Sequence, residues 1–368
     1  MRVLHVYKDY YPVLGGIENH VRLVAEGQAA AGHDVTVLAT APGGRTVVET
    51  RGGVRVIKAG RVAKVASTPL SLSMPGHLYR QQPDITHLHF PYPPAEAAQM
   101  PLLGRRPTVL SYHSDIVRQK RILAFYEPLM QQMLRRVDRI LVSSPAYLAS
   151  STILARVSER CTVLPYGIEQ ERFRTPMPEQ VATLRERYGP GPTVLFVGVL
   201  RYYKGLRYLL EAMQHVPGRL VIVGEGPEGA ALRAQAETLG LVDRVHFAGA
   251  VDDESLPAYY QAADIFCLPA SERSEAFGLV QVEALSVGLP IVSTELGTGT
   301  SYVNQSGVSG LVVPPRDADA LTRALTRLVH DDELRETLAA GARQRADAFT
   351  AQRMFRDIDA VYADVLAH

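Results

Sequence analysis

Thr193-Val194-Leu195-Phe196-Val197-Gly198 is an apolar run stopped by a glycine, and with it a pattern that began at Arg2 starts a second time. The first series passes through 2–7, 34–39, 54–58, 84–88, 107–111, 138–143 and 161–164, with helical spacing of apolar residues over 17–31 and 118–136. The second continues through 219–223, 244–247, 264–268, 290–293 and 310–313, with helices expected at about 205–215, 228–239, 255–262 and 279–287. Nearly continuous Val/Ile/Leu runs separated by helices mark parallel sheets covered on both faces. Between the series lie Pro165-Tyr166-Gly167, Pro176, Pro178 and Gly189-Pro190-Gly191-Pro192, residues that punctuate structure. The expected fold is α/β, with two doubly wound Rossmann-like domains over 1–167 and 193–349 and a linker over 168–192. An amphipathic helix over 350–368 closes the chain, and packing back on the first domain is among its options. Such sheets bind ligands beyond the carboxyl ends of their strands, so two of them facing each other would share a cleft.

The bulk numbers agree with two globular bodies. The chain has 368 residues, 46% of them hydrophobic and 21% charged, and a single core rarely grows past about 250–300 residues. The net charge of +1 hides an asymmetry: residues 1–180 carry 22 Lys/Arg against 14 Asp/Glu, and the remainder 17 against 24. Cys161 and Cys267 stand far apart without a CxxC partner, which argues against a disulfide framework or zinc site and makes a reducing cytoplasm the default. No apolar run approaches a membrane span, and the first one meets Lys8 and Asp9 at once, unlike a signal peptide. The expectation is a soluble protein, or one resting on a membrane surface.

Several stretches carry candidate chemistry. In Ser274-Glu275-Ala276-Phe277-Gly278-Leu279-Val280-Gln281-Val282-Glu283, two carboxylates stand eight positions apart where a loop turns into a helix. Backbone N–H groups at a helix start bind an anion, and flanking carboxylates accept hydroxyls, which suits a sugar bearing phosphate. Gly15-Gly16 sits between the first strand and its helix, where the backbone can pass close to a ligand or simply turn tightly. Arg201 and Lys204 lie three apart in a loop opening a helix, a pair that fits a diphosphate. Gly224-Glu225-Gly226-Pro227-Glu228-Gly229 matches GxGxxG, but not on the opening strand of its domain, and the next strand ends in Ala248-Gly249 instead of a ribose-binding acid. Gly224 is therefore taken as a close backbone approach to a nucleotide. His87 and His89 share one face of a strand without a third metal ligand at suitable spacing, and read as satisfied strand-end histidines. His113, after another strand, is better placed to face a ligand. Asp317/Asp319 and Asp357/Asp359 read as surface charges and not as a metal site.

Taken in order, these motifs resemble the family 4 retaining glycosyltransferases of the two-domain GT-B type. The carriers are the E-x7-E segment from Glu275 to Glu283, Gly15-Gly16-Ile17-Glu18, Arg201 with Lys204-Gly205, Val223-Gly224-Glu225-Gly226-Pro227 and Ser306-Gly307 through Pro314. The resemblance implies that Glu275 holds donor-sugar hydroxyls, that the backbone at Phe277, Gly278 and Leu279 meets sugar and phosphate, and that Glu283 binds the ribose. It implies that Arg201 and Lys204 neutralise the diphosphate, that His113 lies near the sugar's C6 side, and that Gly16 approaches the phosphate from the other domain. The wording of Tyr7-Lys8-Asp9-Tyr10-Tyr11-Pro12 and Tyr112-His113-Ser114-Asp115 is most similar to bacterial O-antigen and exopolysaccharide mannosyltransferases.

The implied reaction transfers a hexose, mannose from GDP-mannose first, from a nucleoside-diphosphate sugar to a glycan or lipid-linked acceptor with retention. Two cations and helix-start N–H groups stabilise the departing diphosphate, so no metal or other cofactor is expected. With no carboxylate placed as a covalent nucleophile, a front-face displacement is the preferred route. A UDP-sugar donor is the alternative; a GT-B sugar-nucleotide epimerase and a non-catalytic sugar-nucleotide binding module are the other classes. Arg118, Lys120 and Arg121, with Arg135, Arg136 and Arg139, flank Leu123, Phe125, Leu129 and Met133 on one expected helix. That face suits either plain solvation or an acceptor or anionic membrane surface, and no nucleic-acid motif accompanies it.

Overall fold

In the computed structural model the described residues are 1–13, 15–65, 68–115 and 120–367; the side chains of residues 120–125 are not described. They divide into two compact units, Met1–Tyr166 with Ala351–His368, and Gly167–Thr350. The first holds β1 (Arg2–Val6), α1 (Gly16–Ala30), β2 (Asp34–Thr40), β3 (Val47–Arg51), β4 (Val54–Ala59), β5 (Ala63–Val65), β6 (Thr68–Leu70), α2 (Met74–Arg80), β7 (Ile85–Phe90) and α3 (Pro93–Gln99). It continues with β8 (Thr108–Tyr112), α4 (Lys120–Leu134), β9 (Arg139–Val142), α5 (Pro145–Ser150) and β10 (Cys161–Val163). The second holds α6 (Glu171–Arg174), α7 (Pro178–Tyr188), β11 (Thr193–Val197), α8 (Leu206–Met213), β12 (Arg219–Val223), α9 (Gly229–Thr238), β13 (Val245–Gly249), α10 (Leu256–Ala262) and β14 (Ile265–Leu268). After these come α11 (Leu279–Val287), β15 (Ile291–Thr294), α12 (Gly299–Val303), β16 (Gly310–Val313), α13 (Ala318–His330) and α14 (Asp332–Ala346); α15 (Ala351–Ala367) returns to the first unit.

The first sheet runs β10-β9-β8-β7-β1-β2-β4-β3, parallel except for β3, which pairs antiparallel with β4 at the edge. A wholly parallel sheet was expected here. Every residue of β3 is exposed, and its Val-Val-Glu-Thr-Arg lacks the apolar continuity of a covered strand. The second sheet, β13-β12-β11-β14-β15-β16, is parallel throughout. In each, strand order reverses next to the opening strand, between β1 and β7 and between β11 and β14, and such switch points open the crevice that holds ligands.

Helix boundaries follow local chemistry. Asp317 and Asp331 cap α13 and α14 by accepting from Ala320 N and Leu334 N, each worth about 1 kcal/mol; Asp317 is thus occupied as a cap. Along α13, Leu321, Ala324, Leu325, Leu328 and Val329 recur at three- and four-residue steps and are buried. The stretch 168–192 carries α6 and α7, both packed on α10 of the second unit. On α15, Met354, Ile358, Tyr362 and Val365 are buried. Phe355 lies so near Gly27 of α1 that a Cβ there would sit 2.3 Å from the ring, so Gly27 permits the close helix approach.

Candidate active site

At the switch point of the second sheet, the loops after β11 and β14 are joined by their backbones. Ser271 N donates to Tyr203 O at 2.7 Å. Gly205 has φ +71°, and a Cβ there would lie 1.9 Å from Pro269 O, so only glycine lets the basic turn press this closely on the strand end. That closeness brings together residues far apart in sequence: the Lys204 ammonium forms an ion pair with Glu275 Oε2. The contact is ionic more than a well-directed hydrogen bond. Lys204 is 8% exposed and Glu275 7%. Burial pulls the ammonium's pKa down, but Glu275 and Tyr203 outweigh it and leave Lys204 above the ordinary lysine value, hence charged at neutral pH. Arg201 is exposed beside this pair and acts electrostatically on Lys204.

The Glu275 loop is buttressed from behind. Thr298 Oγ1 donates to Glu275 O at 2.8 Å, Gly299 N to Ala276 O at 2.7 Å, and Arg273 to the carbonyls of Leu296 and Gly297. Phe277 is buried, and Gly278, with φ +78°, starts α11 with no side-chain cap. The first N–H groups of α11, from Leu279 on, therefore open the helix without a side-chain acceptor, a suitable place for an anion. One turn on, Glu283 accepts the Tyr260 hydroxyl at 2.6 Å. Burial pushes the Glu283 carboxyl up, opposed by that hydroxyl, by Arg172 and, more weakly, by Lys204. Glu275 and Glu283 thus share Lys204 as an electrostatic neighbour, while Glu283 is anchored by Tyr260. At Gly224, φ +125°, a Cβ would lie 2.1 Å from Gly198 O; the close approach visible there is between two strand ends.

In the first unit, Gly15 is the N-cap of α1 and Gly16 its first residue, at the other switch point. A Cβ on Gly15 would meet Glu18 at 2.2 Å, whereas one on Gly16 meets nothing within 4 Å among the described residues. His113 is 2% exposed, with Nε2 bonded to His89 Nδ1 at 3.0 Å and Nδ1 to the Tyr166 hydroxyl at 2.5 Å. A ligand hydroxyl reaching either ring nitrogen takes the place of one of these partners.

Residues 14–172 match the family described as Glycosyltransferase Family 4, and residues 184–345 that described as Glycosyl transferases group 1. A D-rhamnosyltransferase, WbpZ of Pseudomonas aeruginosa, is 40% identical over 356 residues, 95% of this chain and 93% of that protein. The O-antigen chain mannosyltransferase C of Escherichia coli is 38% identical over 370 residues, 100% and 99% of the two chains. The chain belongs to glycosyltransferase family 4. Sucrose-phosphate synthase from Thermosynechococcus elongatus, 24% identical, has the same GT-B fold with a TM-score of 0.83 over 100% of this chain and 99% of that one.

In this glycosyltransferase several groups have partners that sequence spacing did not offer. His5, paired in register with His87, and His20 and His113 gather around His87 and His89, so nitrogens absent at sequence spacing are supplied by tertiary structure. Strand alternation on one side showed only the His87/His89 pair. Tyr260, Thr298 and Tyr166 were also missed, since no fixed spacing ties them to the residues they hold. On the basic helix, Arg118 and the side chains of Lys120, Arg121, Leu123 and Phe125 lie outside the described residues. Met133, expected on the ligand-facing stripe, is buried in the core; Arg136 donates to Leu103 O and Arg139 pairs with Asp364 of α15. Both charges keep surface exposure while bonded to partners in their own unit. Among the described residues no helix is long and apolar enough to cross a membrane.

Proposed function

We propose that this glycosyltransferase moves mannose from GDP-mannose, with retention of anomeric configuration, onto a glycan or lipid-linked acceptor in cell-surface polysaccharide synthesis at the cytoplasmic side of a membrane. The observation that carries the proposal is the buried Lys204–Glu275 pair at the switch point, with Arg201 beside it and the start of α11 next to it. Two cations and helix N–H groups meet the charge that grows on the departing diphosphate, leaving no task that requires a metal. Glu275 takes sugar hydroxyls and Glu283 the ribose. The acceptor attacks from the face the diphosphate leaves. Mannose is favoured because the two relatives are described as acting with mannose and with rhamnose, its 6-deoxy counterpart.

A thermal-shift screen over GDP, UDP, ADP and their sugars tests the donor, because a ligand at a hundred times its dissociation constant adds about 2.7 kcal/mol. Stabilisation by GDP and GDP-mannose alone is expected; stabilisation by UDP-sugars alone would overturn the choice. Turnover should survive EDTA, and the anomeric proton coupling of the product reads the stereochemistry. Epimerised sugar nucleotide formed from donor alone would replace transfer with epimerisation. Arg201→Ala should lower turnover by about a hundredfold, and near-normal turnover in it would sink the assignment.

A further inference from the structure

The buried histidines of the first unit form a directed chain. His5 Nε2 contacts Gln28 Oε1 at 2.8 Å, and His5 Nδ1 contacts His89 Nε2 at 3.0 Å. His89 Nδ1 contacts His113 Nε2 at 3.0 Å, and His113 Nδ1 the Tyr166 hydroxyl at 2.5 Å. The three rings are 2% exposed or less, and the His89 and His113 rings stack with planes 7° apart. Burial holds each pKa well below the usual imidazole value, so each ring is neutral, with one N–H and one accepting nitrogen.

A chain of neutral imidazoles has only two directions: all protons point toward Gln28, or all point toward Tyr166. A carbonyl oxygen only accepts, so Gln28 Oε1 at His5 Nε2 selects the first. His5 then donates to Gln28, His89 donates from Nε2 to His5, and His113 donates from Nε2 to His89. The Tyr166 hydroxyl donates to His113 Nδ1. The opposite end of the Gln28 amide completes no hydrogen bond of its own, so the contact of Oε1 with His5 is what sets the direction.

We propose that Gln28, acting through His5 and His89, is a positioning residue for His113, fixing the tautomer that carries its proton on Nε2 and leaves Nδ1 as an acceptor. The proposal rests on the reading that His113 serves the transfer reaction. Its consequence is a selection rule: a group that takes the place of Tyr166 at His113 must donate a proton, as a sugar hydroxyl does and a carbonyl oxygen cannot. The same rings together with His20 and His87 could be arranged around a metal ion, but no carboxylate stands among these ligands to balance a buried dication, and the nitrogens of His5, His89 and His113 are already engaged in the chain.

The test is nitrogen NMR of the full chain labelled with 15N-histidine, with His113 assigned from His113→Ala. The wild-type protein should show a pyridine-type Nδ1 and a pyrrole-type Nε2 at His113. Gln28→Met, which removes the acceptor but keeps the volume, should mix the tautomers. It should also lower kcat about tenfold or more while GDP affinity, read by thermal shift, stays unchanged. A proton on Nδ1 in the wild type overturns the proposal. An unchanged His113 pattern in Gln28→Met overturns it too, as does stoichiometric zinc in the purified protein or normal kcat in Gln28→Met beside an inactive His113→Ala. Normal turnover in His113→Ala overturns the role of His113 in the reaction instead, and the tautomer measurement then stands by itself.

Discussion

Replacing Lys204 by Met leaves the Glu275 carboxylate in place, 7% exposed and without its cation. Removing one partner of a buried pair costs about 3–5 kcal/mol, because the remaining charge keeps its desolvation penalty. Both side chains here retain roughly a tenth of their exposure, and Arg201 stands nearby, so the lower end, about 3 kcal/mol, is expected. For a unit of the size of Gly167–Thr350, each kcal/mol moves the melting temperature by about 2–4 °C, giving a fall of roughly 6–12 °C. Glu275→Gln should cost a similar amount by stranding the ammonium. The double variant Lys204→Met/Glu275→Gln removes both charges and should melt closer to wild type than either single one, with a coupling of about 3 kcal/mol or more. Calorimetry of the four proteins reads this, with the transition of the second unit resolved from that of the first. In both variants lacking Lys204, stabilisation by GDP should also shrink. Single variants that melt like wild type, or a double variant equal to the sum of the singles, would refute the claim that these groups form an energetically real pair.

Gly205→Ala should destabilise the second unit by about 1–3 kcal/mol or more and weaken GDP binding, since the new Cβ meets Pro269 O at 1.9 Å in a left-handed backbone; a wild-type thermal-shift profile would count against it. Gly16→Ala should behave in the opposite way, melting at or slightly above the wild-type temperature because nothing among the described residues lies within 4 Å of the new Cβ. Its turnover should fall about tenfold or more if a diphosphate passes there, and unchanged kinetics would remove Gly16 from the site. Acid should unfold the first unit early. Burial lowers the His5 pKa to about 4 and that of His20 to about 3, so between those values and the unfolded value near 6.5 the unfolded chain binds more protons. The stability these rings contribute is then full above about pH 6.5 and is lost on acidification, by about 2 kcal/mol from each at pH 5. With His87, His89 and His113 lowered too, the loss outweighs the opposite effect of Glu96, whose carboxyl burial raises to about 8. Urea unfolding at pH 7.5 and 5.0 measures it, and equal stability at the two would contradict the burial of neutral rings.

The two-sheet architecture was legible because covered parallel strands write themselves as nearly continuous apolar runs, as in the RLVIV of Arg219–Val223 and the TVLFV of Thr193–Val197. β3 was not, since an exposed edge strand needs no such run. The E-x7-E segment and the basic turn could be read singly, as loop chemistry ahead of a helix. Their union could not: Lys204 meets Glu275 only because β11 and β14 are neighbours in strand order. The histidine chain shows the same limit. His87 and His89 reveal themselves by alternation, but His5 joins them through register with β1, and Gln28 through the docking of α1.

The pairing of Lys204 with Glu275 bears on how a donor is received. Alone, each charge at this depth would carry a desolvation cost of several kcal/mol and would tend to neutralise or move. Held by the close approach of Gly205 to Pro269 and by Thr298 on the Glu275 carbonyl, the two groups stay paired and in place without a ligand. Under the proposed function, an entering diphosphate gives the ammonium a second anionic partner, so the carboxylate can turn its oxygens to sugar hydroxyls without either group losing all compensation. A phosphate-free sugar brings no such replacement charge. It would have to draw Glu275 from Lys204 unaided, and this physical asymmetry favours donors that carry sugar and diphosphate together.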